Sequence, residues 1–152
     1  METLARTAKA DGRPQDFVYM GMDAAAQTKF CTPITFPMTH GGDKGWPERQ
    51  KIYSALTEGH SVSVWFVPQI LGTGSNLVCT VLYLQLMELV QEFGETIKDL
   101  VIQVDNTVAE NKNNYLLGCL GLLVARGVVS TATLLFMQVG HTHIKIDQIF
   151  SR

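Results

Sequence analysis

Leu100–Asp105 reads LVIQVD, and Asp16–Asp23 reads DFVYMGMD. Each is a short apolar run that fits a buried strand, and each ends on an acid. In the earlier run Phe17, Val18, Tyr19 and Met20 supply the core. The fold turns on whether these two runs lie side by side, because their terminal carboxylates then meet.

The intervening chain decides that. Ala24–Gly45 is loop-like, rich in Thr, Pro and Gly, with a short extended piece at Ile34–Phe36. Ile52–Leu56 and Ser61–Val67 are strand candidates joined by the tight turn Thr57-Glu58-Gly59-His60. Val62, Val64 and Phe66 alternate with Ser61, Ser63 and Trp65, as in an antiparallel hairpin. Gly72-Thr73-Gly74-Ser75 breaks the chain, with Ser75 as a helix N-cap. Apolar residues at 78, 82, 86, 89 and 93 predict a helix over Asn76–Phe93, closed by Gly94. Beyond Asp105, Thr107-Val108-Ala109-Glu110 fits a capping box for a helix running to about Arg126, where Gly127 stops it. Ala132–Val139 is the fifth strand, Gly140–His143 a turn, and a last helix starts near Ile144.

The succession is β-β-β-α-β-α-β-α. Crossovers between parallel strands are right-handed. The result is a mixed five-strand α/β sheet of order 3-2-1-4-5 with helices on both faces. The first and fourth strands are then parallel neighbours, and ligands of open α/β sheets bind beyond the carboxyl ends where the order reverses.

Asp23 and Asp105 end those two strands. Adjacent carboxylates repel unless a proton or a metal ion separates them, and oxygen-only ligation suits Mg²⁺ or Mn²⁺. Asp147 follows the fifth strand and shares a helix face with His143. Three acids there hold two metal ions for phosphodiester chemistry. Blander roles compete: strand-end acids cap loops, and an acid early in a helix complements its dipole. His141 and His143 form an HxH pair, suited to local backbone bonds, to metal ligation or to a scissile phosphate. Asn111 and Lys112 fall where a helix amino end holds a phosphate, although plain exposure also explains them. Trp46 and Trp65 fit core packing better than base stacking. Gly72–Ser75 lacks the full phosphate-loop pattern.

Composition sets the limits. The chain has 152 residues, enough for one core, and 46% are hydrophobic. Only 17% are charged, below the usual ~25%, so some surface is expected to lie under missing domains or another chain. A net charge of -2 supplies no global field toward nucleic acid. Cys31, Cys79 and Cys119 are scattered, as reduced thiols of an intracellular protein are. No signal peptide opens the chain, and Leu77–Val90 is too short and polar to span a bilayer, so no membrane partner is expected. Residues 1–15 read as a disordered segment, and 16–152 as one domain, incomplete at its carboxyl end because IKIDQIFSR stops inside a helical pattern.

Val104-Asp105-Asn106-Thr107, Glu110-Asn111-Lys112-Asn113, Val139-Gly140-His141-Thr142-His143 and Ile146-Asp147-Gln148-Ile149-Phe150-Ser151-Arg152 together resemble a family of uncharacterised eukaryotic domains found in transposon-derived proteins. Gly21-Met22-Asp23 matches that family's first acidic strand end. The resemblance spans about residues 16–152 and implies the ribonuclease-H-like fold of DDE transposases and integrases. It implies a metal-dependent polynucleotidyl-transfer site at Asp23, Asp105 and Asp147, with His141 and His143 nearby. One departure is Ile144-Lys145-Ile146, where members usually carry a more acidic stretch.

The leading expectation is therefore a transposase- or nuclease-like core acting on nucleic acid with two Mg²⁺ or Mn²⁺ ions, nuclear if transposase-like. Two alternatives stand beside it. One is a non-catalytic transposon-derived domain for binding or assembly. The other is a mononuclear zinc hydrolase built on the HxH pair.

Overall fold

The computed structural model describes residues 1–25, 50–68, 71, 74–108 and 110–137. Helix α1 spans Glu2–Ala10, and a 3-10 turn at Pro14–Asp16 leads into strand β1, Phe17–Ala25. Strands β2 (Gln50–Thr57) and β3 (Ser61–Pro68) follow, then helix α2 (Ser75–Phe93), strand β4 (Ile97–Val104), helix α3 (Asn114–Ala125) and strand β5 (Val129–Phe136). The five strands form one sheet in the order β3-β2-β1-β4-β5. β1 runs parallel to β4 and β4 to β5, whereas β2 is antiparallel to both β1 and β3. This is the ribonuclease-H-like arrangement expected from the chain order.

Alternation builds the core. Val18, Met20 and Met22 on β1 lie level with Leu100, Ile102 and, one step on, Val104 on β4, and all are at most 3% exposed. Val78, Val81, Leu82, Leu86 and Leu89 of α2 recur at helical spacing and bury against this face. Leu116, Leu120 and Leu123 of α3 join the same cluster. Full burial of each such side chain stabilises by roughly 1.5–3 kcal/mol before chain entropy is subtracted. Both helices thus cover one face of the sheet. The helix expected after β5 falls outside the described residues. Among the described residues no helix is long and apolar enough to cross a membrane.

Turn chemistry follows the glycines where it must. Gly59 in the β2–β3 turn has φ +79°, and Gly94 caps α2 in the left-handed conformation at φ 70°. The hairpin alternates as expected, but Val62, Val64 and Phe66 face outward. Ser61 and Ser63 instead turn toward α2, where Gln85 donates to Ser61 at 3.3 Å and Ser63 to Glu88 at 3.4 Å. Trp65 packs against the core, as do Cys79 and Cys119. Burial, and Cys119 beside it, push the Cys79 thiol up to about 12.

Four expectations shift. Residues 2–10 are helical rather than disordered, because α1 buries Ala5 and bonds to the hairpin turn through Arg6–Glu58 and Lys9–Gly59 carbonyl contacts. Gly74, not Ser75, occupies the N-cap of α2. β5 begins at Val129 rather than Ala132, since its parallel register with β4 starts at Ile97 opposite Val129. α3 starts at Asn114 rather than near Thr107, with Asn113 as its cap, accepting from Tyr115 and Leu116 amides at 3.0 and 3.1 Å. The Thr107–Glu110 capping box does not form because both side chains are engaged elsewhere.

Candidate functional site

The β1–β4 register pairs Phe17 with Asp99 and runs to Gly21 with Gln103. Asp23 and Asp105 each lie two residues beyond that last pair, Asp23 within β1 and Asp105 just past β4. Tyr19 donates its hydroxyl to Gln103, so Tyr19 and Gln103 share the face opposite the helices. Asp23 continues that face by strand alternation. Both aspartates are half-buried, Asp23 inside the last turn of β1 and Asp105 immediately after β4.

Local bonds orient each carboxylate. The Ala24 amide donates to Asp23 Oδ1 at 2.8 Å. Ser54, opposite Asp23 in β2, donates to the Asp23 carbonyl at 3.5 Å. Asp105 Oδ1 accepts from the Thr107 amide at 3.2 Å, from the Thr107 hydroxyl and from the Asn111 side-chain amide. The first of these is an Asx-turn, which bends the chain sharply at the strand end. Asn111 also donates to Thr107 Oγ1 at 3.2 Å, and its backbone amide donates to the Thr107 carbonyl at 2.9 Å. Loop 105–113 is thereby wound around the Asp105 carboxylate.

Asn111, expected to hold a phosphate, is 8% exposed and directs its side-chain amide to Asp105 and Thr107. Lys112 is exposed, with its ammonium 5.8 Å from the centre of the Phe136 ring. Asp147, His141 and His143 lie outside the described residues, as do Cys31 and Trp46. Among the described residues, no three His, Cys, Asp or Glu side chains cluster closely enough to hold a metal ion. Asp23 and Asp105 thus have no third such group beside them among the described residues.

Three residues close over the same strand ends from the helix side, two of which, Lys51 and Tyr53, the sequence reading missed. Lys51 and Tyr53 of β2 are 8% and 3% exposed. Lys51 pairs with the Glu110 carboxylate, and the Tyr53 hydroxyl donates to Glu110 Oε2 at 3.0 Å. The Lys51 ammonium also sits 4.8 Å from the Tyr53 ring centre. Burial raises the Tyr53 phenol above its ordinary value, and the charges of Glu110, Asp105 and Asp23 raise it further. A cation at the mouth of a strand candidate was the available signal for Lys51. Glu110 gave none, because the capping-box spacing explained it.

In shape the chain is similar to two transposase structures. One is the Mos1 transposase paired-end complex with the left transposon end, at a TM-score of 0.47 and 11% identity over 88% of this chain and 39% of that one. The other is the Mos1 strand transfer complex, at a TM-score of 0.48 and 10% identity over 99% of this chain and 45% of that one. This chain thus spans less than half the length of either transposase. No curated protein matches it in sequence. Residues 43–152 match the domain of unknown function DUF7869, and the chain belongs to that family.

Proposed function

We propose that this chain is a metal-dependent phosphoryl-transfer core of the transposase or nuclease type, acting on nucleic acid. The observation that carries the proposal is the parallel β1–β4 register, paired as far as Gly21 and Gln103, two residues before Asp23 and Asp105 on their strands.

The donor set fits a hard divalent cation. Both acids offer carboxylate oxygen, and the Asp105 carboxylate is held in one orientation by Thr107 and Asn111. In this reading Asp23, Asp105 and Asp147 together hold Mg²⁺ or Mn²⁺. The bound ions supply charge neutralisation and an activated oxygen nucleophile. The chain's own residues do the rest. Thr107 and Asn111 keep the Asp105 carboxylate aimed at the cleft. Lys112, exposed at the rim, attracts backbone phosphate. His141 and His143 orient that phosphate or move a proton.

Incubation of the chain with supercoiled plasmid and Mn²⁺ or Mg²⁺ tests the proposal. Nicking that disappears in Asp23→Asn and in Asp105→Asn supports it. Nicking that survives both substitutions contradicts it. The second reading, a transposon-derived domain for binding or assembly, is favoured by the net charge of -2. It predicts nucleic-acid or partner binding that is indifferent to divalent ions.

A further inference from the structure

The bonds that wind loop 105–113 around Asp105 are local. Thr107 and Asn111 fix the carboxylate relative to its own loop, and the Lys112 amide adds a 2.8 Å bond to the Thr107 carbonyl. None of these sets the distance from Asp105 to Asp23, which sits on another strand.

Glu110 makes that connection. It leaves the loop, reaches past β1 and is held by Lys51 and Tyr53 of β2. Tyr53 lies opposite Ala24 in the β1–β2 register, and Ser54 lies opposite Asp23. The loop carrying Asp105 is therefore tied to the strand that flanks Asp23. The β2 end of the tie is buried, with Lys51 and Tyr53 8% and 3% exposed, while the Glu110 side chain is 25% exposed, and charge-assisted bonds from two donors hold its carboxylate. Lys51 also neutralises Glu110, so a third negative charge does not add to the repulsion between the two aspartates.

We propose that Glu110 is a positioning residue, which clamps the Asp105 loop to β2 so that Asp23 and Asp105 can share one divalent cation. This rests on the metal-site reading given under Proposed function. Glu110 acts here as a strut, with its carboxylate turned to Lys51 and Tyr53 rather than to the ion. A role of this kind separates from ligation in the response to an isosteric substitution. Gln keeps an acceptor for Lys51 or Tyr53, whereas Ala keeps none.

The test is Mn²⁺ affinity of the full 152-residue chain, measured by electron paramagnetic resonance of free Mn²⁺, with the folded fraction checked by circular dichroism. Glu110→Ala is expected to weaken binding about tenfold, as loss of supporting bonds around a metal site does. Glu110→Gln is expected to restore most of that loss, and Asp105→Asn to lose more than either. Equal losses in Glu110→Gln and Asp105→Asn would make Glu110 a ligand and overturn the strut. Unchanged affinity in the folded fraction of Glu110→Ala would reduce the contact to stability alone and overturn it as well. Unchanged affinity in Asp105→Asn would instead remove the underlying site, whatever the Glu110 variants do.

Discussion

The two ends of the sheet handle charge differently. At the end where β1 and β4 begin, two acids are matched with cations. Asp16 pairs with Lys98 at 2.6 Å and with Arg13 at 3.5 Å, and Glu58 pairs with Arg6. The Lys98 bond, chiefly, holds the Asp16 carboxyl below its usual value. Toward the opposite end, Lys51 matches Glu110. The bonds described for Asp105 come from a hydroxyl and amides, and the Ala24 amide donates to Asp23. Neutral donors orient a carboxylate without cancelling its charge. Ion pairs tie the first end together, whereas at the second a hydroxyl and amides orient the Asp105 carboxylate.

The sharpest way to break that contrast is to remove one cation from each end. Lys51→Met leaves the partly exposed Glu110 without its cation and should lower stability by about 1–2 kcal/mol in chemical denaturation. It should also change Mn²⁺ affinity. A smaller loss, about 1 kcal/mol, is expected for Asn113→Ala, which strips the cap from α3 at the same end of the sheet. Arg6→Ala should cost no more than about 1 kcal/mol, because the arginine is 62% exposed. It should leave Mn²⁺ affinity untouched. A metal response to Arg6→Ala equal to that of Lys51→Met would erase the distinction between the ends.

The smallest effect is one of pH at the ion-paired end. His60 is buried against Phe93, with ring centres 4.9 Å apart, and burial lowers its pKa, with Lys9 adding to the shift and Glu92 opposing it. The folded state therefore takes up its proton at lower pH than the unfolded chain. Stability from this group is complete above the ordinary histidine value and is lost as pH falls through the folded one. Melting temperature should decline on acidification below about pH 6.5, and His60→Gln should flatten that decline.

The sequence revealed the sheet more readily than the site. Strand order followed from the apolar runs of β1 and β4, the Gly59 turn and the glycine stops at 94 and 127, all of which are local signals, joined by right-handed crossovers. The Asp23–Asp105 juxtaposition was an expectation from that order, and the paired residues of β1 and β4 run as far as Gly21 and Gln103. The Lys51–Tyr53–Glu110 contact did not, because it joins residues 57 to 59 positions apart through side chains alone. Thr107 and Glu110 were misread for a physical reason. Their spacing satisfies a capping box, but Asp105 and Lys51 offer stronger charged partners. The amino-terminal helix was hidden in the same way, since α1 exposes most of its residues and depends on Ala5, Arg6 and Lys9 meeting a distant turn.

The measurement that tests the central claim most directly is calorimetric titration of Mn²⁺ into the wild-type chain, Asp23→Asn and Asp105→Asn. A saturable Mn²⁺ site in the wild type that each substitution weakens tenfold or more would bear the account out. Mn²⁺ binding of equal strength in all three chains, or none in the wild type, would contradict it.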